Sequence, residues 1–162
     1  MIRQALIIFA LVFASFAAEL ILFNVFGRWF MPNLLVIVIV FINLYSGVRH
    51  ALFAAVIAGI LKDSYSAHIF GLNILSFIIC AYMTTIIRRY YYEVGSENSR
   101  IRTVLLVVLI NVCVQYVFII RFNYIDLDQF FIYVLLPQFI VTSFVASLVF
   151  TKLKELAVKL SL

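Results

Sequence analysis

Apolar runs long enough to cross a bilayer recur along this chain, and that recurrence limits the fold more than any single motif. The first, Ala5 to Phe26, is longer than the apolar core of a cleaved signal peptide, and similar runs follow towards the C-terminus. A hydrocarbon layer of about 30 Å takes about 20 helical residues at roughly 1.5 Å of rise each. Lipid cannot satisfy open backbone N–H and C=O groups, and no alternating strand pattern is present, so these runs are expected to be helices. Composition agrees: 67% of residues are hydrophobic, 12% are charged, and mean hydropathy is +1.20. A soluble domain is about half apolar and a quarter charged, so lipid must be the solvent for most of this surface.

An all-α bundle of six transmembrane helices is expected, with spans at about 4–26, 32–47, 50–65, 72–87, 104–120 and 130–151. They would form one integral membrane domain, 1–162, with no soluble domain. Pro32 is well suited to the first helical position of the second span. Placing the N-terminus inside puts nine basic residues on the cytoplasmic side: Arg3, Arg49, Arg88, Arg89, Arg100, Arg102, Lys152, Lys154 and Lys159. Three, Arg28, Lys62 and Arg121, fall opposite. The positive-inside rule then predicts that both termini are cytoplasmic. The net charge of +5 thus reads as topology and not as a nucleic-acid footprint. The stretch "RRYYYEVGSENSR" (88–100) is expected to be a cytoplasmic loop whose tyrosines lie in the interfacial belt.

No nucleophile elbow, Gly-rich phosphate loop, paired carboxylates or metal-ligand spacing is present, so no enzyme chemistry, cofactor or metal is expected. His50 and His68 stand apart, and Cys80 and Cys113 sit inside apolar runs as small hydrophobes. The polar residues within spans carry the remaining information. Lys62-Asp63 falls at the outer end of the third span, where the lysine can snorkel to headgroups and Tyr65 can anchor. Asp63 is placed to cap the next turn or to pair with a cation, and Asn73 to cap the fourth helix. Glu19, within the first span, is expected to be protonated, paired or facing a polar cavity, with Arg28 and Arg121 as candidate partners. Asn111 and Gln115, four residues apart, share a face of the fifth span, suited to interhelical hydrogen bonds or to a ligand pocket.

Two faces carry small residues every fourth position: Ala10, Ala14 and Ala18 on the first helix, and Ala51, Ala55 and Gly59 on the third. In lipid such faces allow close helix approach, either within the bundle or to a partner's span. Both are candidate partner-binding surfaces.

Residues 32–80 add a specific order of elements: Pro32 and Asn33, an aliphatic run, Gly47 with the basic Arg49, a small-residue helix through Gly59 to Asp63, then Gly71 and Asn73. This resembles the MreD family of bacterial inner-membrane proteins, although many relatives carry an acid where Asn33 stands and glycines where Ala51 and Ala55 stand. The resemblance implies a non-enzymatic scaffold of the cell-elongation machinery in the inner membrane. It would bind the single-span protein MreC, alongside RodA, a class B penicillin-binding protein and MreB, and support lateral peptidoglycan synthesis. The family is also similar in fold to the S-components of energy-coupling-factor transporters. That likeness supplies the alternative, a vitamin-binding transporter subunit.

Overall fold

The computed structural model describes residues 2–27, 32–65, 70–91, 97–123, 138–146 and 148–149, and every regular element among them is an α-helix. These are α1 (Ile2–Phe26), α2 (Leu34–Ser46), α3 (Val48–Tyr65), α4 (Leu72–Tyr91) and α5 (Glu97–Asn123). A further helical stretch covers 138–146.

α2 organises the rest. Its sequence is apolar on every side, and every residue from Leu34 to Leu44 is buried. Valine and isoleucine are only moderate helix formers, but a helix that is hydrophobic all round belongs inside a bundle, and burial overrides propensity. Around it pack Ile8 and Val12 of α1, the alanines of α3, Phe77 and Cys80 of α4, and Val104, Val107 and Val108 of α5.

Hydrogen bonds across the bundle show that successive helices alternate in direction. Glu19 near the end of α1 meets Leu35 at the start of α2, and Asp63 near the end of α3 meets Asn73 at the start of α4. One end of the bundle, here the carboxylate end, therefore gathers the end of α1 and the starts of α2 and α4. The other, the arginine end, gathers the ends of α2 and α4 and the starts of α3 and α5. A single residue, Gly47, links α2 to α3 with φ at +88°, where any side chain would be strained. Its N–H donates to Asn43 O (3.2 Å) and its carbonyl accepts from Ala51 N (3.2 Å), so the reversal loses few backbone bonds.

The expectation of six spans is met only in part. Among the described residues three helices are long and apolar enough to cross a membrane: Gln4–Phe26, Leu72–Tyr90 and Asn98–Phe118. α2 has 13 residues, which reach only about 20 Å. It can be short because it faces protein, not lipid. α3 carries Arg49, His50, Lys62 and Asp63, which spoil its apolar window. Of the sixth expected span, 130–137, 147 and 150–151 lie outside the described residues.

Boundaries also move. Pro32 precedes the cap of α2 and is not its first helical residue. The expected loop 88–100 is largely helix: α4 continues to Tyr91 and α5 begins at Glu97, seven residues before the expected span. Apolarity marks where lipid begins, whereas backbone bonding marks where the helix begins, and the polar "ENSRIR" can do the second without the first.

Candidate functional site

At the carboxylate end the polar residues of several helices meet. Asn33 caps α2, and its side-chain oxygen accepts from Val36 N at 3.4 Å. The carboxylate of Glu19, 5% exposed, takes a second open donor of the same helix: Leu35 N donates to Oε1 at 3.0 Å. Lys62 completes the group. Its Nζ donates to Glu19 Oε2 at 3.3 Å and to Asn33 Oδ1 at 3.3 Å, and lies 5.6 Å from the centre of the Phe77 ring. The backbone N–H of Asn33 donates to Thr142 Oγ1 at 3.1 Å, which adds the 138–146 stretch to the cluster.

Asp63 does the same for α4. Its Oδ2 accepts from Gly71 N (3.0 Å) and Ile74 N (3.3 Å), and its Oδ1 from Asn73 N (3.1 Å) and Asn73 Nδ2 (2.9 Å). The side-chain oxygen of Asn73 accepts from Gln115 Nε2 at 3.0 Å, so the chain of bonds runs on into α5. Both buried carboxylates thus stand at helix N-termini, where orphan N–H groups and the positive end of the helix dipole favour an anion. Such charge-assisted bonds are roughly twice as strong as neutral ones. With both oxygens of each acid engaged, the cluster holds helices together.

These contacts correct three expectations. Among the described residues the partner of Glu19 is Lys62 and not Arg121, which is exposed on α5; Arg28, the other expected partner, lies outside the described residues. Lys62 does not snorkel outward, for its side chain is only 16% exposed and turns in to the acid. Asn73 does not cap α4; Asp63 does, while the Asn73 amide bridges Asp63 to Gln115. Tyr65 is exposed beside the same cluster, its ring edge-on to Phe16.

The arginine end has a different chemistry. Asn43 Nδ2 donates to Ala81 O (2.6 Å) and to Thr85 Oγ1 (2.9 Å), while Arg88 Nη1 donates to Asn43 O at 3.0 Å. Arg49, Arg88, Arg89 and Arg102 are exposed there, and Arg100 is buried. Sequence reasoning missed the Asn43–Thr85–Arg88 cluster. An amide inside an otherwise aliphatic run was its one signal. Between the two ends, Ser76 Oγ donates to Asn111 Oδ1 at 2.6 Å, so Asn111 and Gln115 both bond to α4.

The two small-residue faces separate. Ala51 and Ala55 are fully enclosed and Gly59 is buried, so this face packs inside the bundle and is not open to a partner. A Cβ on Gly59 would collide with Ile74 Cα and lie 2.8 Å from Ile74 N, so α4 approaches as closely as glycine permits. Ala10 and Ala14 are exposed, next to the stacked rings of Phe9 and Phe13, and Ala18 is half-buried. Cys80 is buried and Cys113 exposed, both free. Among the described residues no three of His, Cys, Asp and Glu are grouped to hold a metal.

Compared with known proteins, the chain matches the sequence model of the family described as rod shape-determining protein MreD over residues 1–158. No curated protein and no solved structure matches it.

Proposed function

The chain belongs to the MreD family of rod shape-determining membrane proteins, and we propose that it serves shape determination as a non-enzymatic scaffold in the inner membrane. In this reading it holds the single span of MreC, and through MreC the elongation synthase of RodA and a class B penicillin-binding protein with MreB. Lateral peptidoglycan synthesis depends on that assembly. The polypeptide forms one membrane domain of six spans with both termini cytoplasmic. The gathering of Arg49, Arg88, Arg89, Arg100 and Arg102 at one end supports that orientation.

One observation carries the reading: of two matching small-residue faces, the one on α1 is exposed among the described residues. Ala10 and Ala14 lie exposed on a helix whose apolar window is only 17% buried, against 39% and 33% for those of α4 and α5. Small residues beside the stacked Phe9 and Phe13 offer a partner helix both close backbone approach and an aromatic edge.

The test is co-purification of MreC with the wild type and with Ala10→Leu/Ala14→Leu. The double variant should insert normally and lose most of the MreC, and rod-shaped cells carrying it should round up. Undiminished co-purification would remove α1 as the docking face. A deletion strain that keeps its shape but requires a vitamin would replace the scaffold with the transporter subunit.

A further inference from the structure

We propose that α4 and α5 hold a water molecule between them at membrane depth, bridging the side-chain amides of Asn111 and Gln115. Asn111 and Ser76 are fully enclosed, and Asn111 Nδ2 has no hydrogen-bond partner among the described residues. A buried amide donor without an acceptor is costly, and ordered water commonly meets such groups where the protein does not. The protein offers little here. Val107, Val108 and Val112 flank Asn111 on α5 and are buried. Asn43, the one polar side chain in the buried run Leu34–Leu44 of α2, is taken by Ala81 and Thr85.

The second partner of the water follows from the chain of bonds that starts at Asp63. An ionised carboxylate only accepts, so the Asn73 amide turns its Nδ2 to Asp63 Oδ1 and its oxygen to α5. Gln115 must then donate to that oxygen through Nε2, which leaves Gln115 Oε1 as an acceptor on the same face of α5 as Asn111. Residues four apart on a helix have Cβ atoms about 5–6 Å apart, and helical side chains lean towards the N-terminus, so Gln115 leans towards Asn111. Asn73–Gln115 and Ser76–Asn111 are therefore two rungs between α4 and α5, one turn apart. Two hydrogen bonds of about 2.8 Å through one oxygen span such a gap. The water accepts from Asn111 Nδ2 and donates to Gln115 Oε1. If Ser76 instead accepts from the Asn111 amide, the Asn111 oxygen faces the gap and the water donates to both amides, so the site holds in either orientation. Depth gives the route in. The apolar span ends at Phe118, which puts Gln115 about 5 Å and Asn111 about 10 Å below the carboxylate end. Gln115 is half-buried where Asn111 is sealed, so water reaches the site past Gln115.

The experiment uses the full chain, labelled with nitrogen-15 at asparagine, in a perdeuterated uncharged detergent. Rotating-frame proton spectra separate through-space contact with water from proton exchange by sign. The Asn111 amide is assigned as the signal that shifts in Ser76→Ala. It should show a through-space cross-peak to water, whereas the Asn43 amide, bonded directly to Ala81 and Thr85, should show none. Gln115→Met keeps the length of the side chain and removes the acceptor, so it should weaken the Asn111 cross-peak at least about fivefold. An undiminished cross-peak in that variant would overturn the bridge. If the variant fails to accumulate, the wild-type spectrum still decides. An Asn111 amide in contact only with protein protons would overturn the proposal. So would a contact with the hydroxyl of an added protonated phosphatidylglycerol in place of water, since a lipid would then be the occupant.

Discussion

Ala10, Ala14 and Ala18 recur every fourth residue in α1, as Ala51, Ala55 and Gly59 do in α3, yet the bundle treats the two faces differently. Ala10 and Ala14 look outward, while the three residues of α3 are sealed against the protein interior. Small-residue spacing therefore states that a helix can be approached closely. It does not state what approaches. That choice is made at the helix ends. Asp63 occupies the N-terminus of α4 through four donors, which fastens the end of α3 to the start of α4 and aligns Gly59 with Ile74. α1 is tied at a different place, where Glu19 reaches Leu35 and Lys62, and Ala10 and Ala14 are left free of both contacts.

The largest effect should come from breaking the sealed face. In Gly59→Leu the new Cβ alone collides with the backbone of Ile74. Overpacking against backbone should exceed about 3 kcal/mol, and lipid offers no compensating hydrophobic gain. The protein should fail to accumulate in the membrane fraction. Wild-type levels and wild-type thermal unfolding in detergent would mean that α3 and α4 do not meet at this point.

How far this was legible in the sequence follows the range of the forces involved. Helix type and rough position came from apolar runs, which act locally. The role of Asp63 was legible only in part: a capping or pairing role was expected of it, but the cap of α4 was assigned to Asn73 because that residue stands nearest the helix start. The partner of Glu19 was not, for Lys62 is 43 residues away and two arginines were equally reasonable on charge alone. The link from Asn43 to Thr85 spans 42 residues and was hidden in the same way. The full enclosure of α2 was not legible, because burial in protein and immersion in lipid select the same residues. Arg100 counted only as one more positive charge; its burial is a property of packing.

A smaller effect should come from cutting the tie between the two compared helices. Lys62→Met keeps the apolar stem but leaves Glu19 buried without its cation. Removing one member of a buried pair destabilises by about 3 kcal/mol, and Glu19 would still keep its bond from Leu35 N, so a loss of about 2 kcal/mol is expected. Glu19→Leu/Lys62→Met should recover part of that loss, since apolar replacement of a buried pair is often near neutral. Thermal unfolding of the single and double variants in detergent decides it. A single variant as stable as the wild type would show that the pair does not hold α1 to α3.

The smallest effect should come from the open face. Ala14→Leu adds three carbons at an exposed position on a helix, displaces nothing in the core, and exchanges a good helix former for one nearly as good. In the purified protein the unfolding free energy should therefore stay within about 0.5 kcal/mol of wild type. The contrast with Gly59→Leu is the point, since both substitutions put the same side chain into the same small-residue spacing. If Ala14→Leu unfolds as readily as Gly59→Leu, the α1 face is covered by the chain's own residues and the two faces are equivalent. If it is neutral in isolation but lowers the unfolding temperature of the complex with MreC, α1 is open in the monomer and closed by the partner.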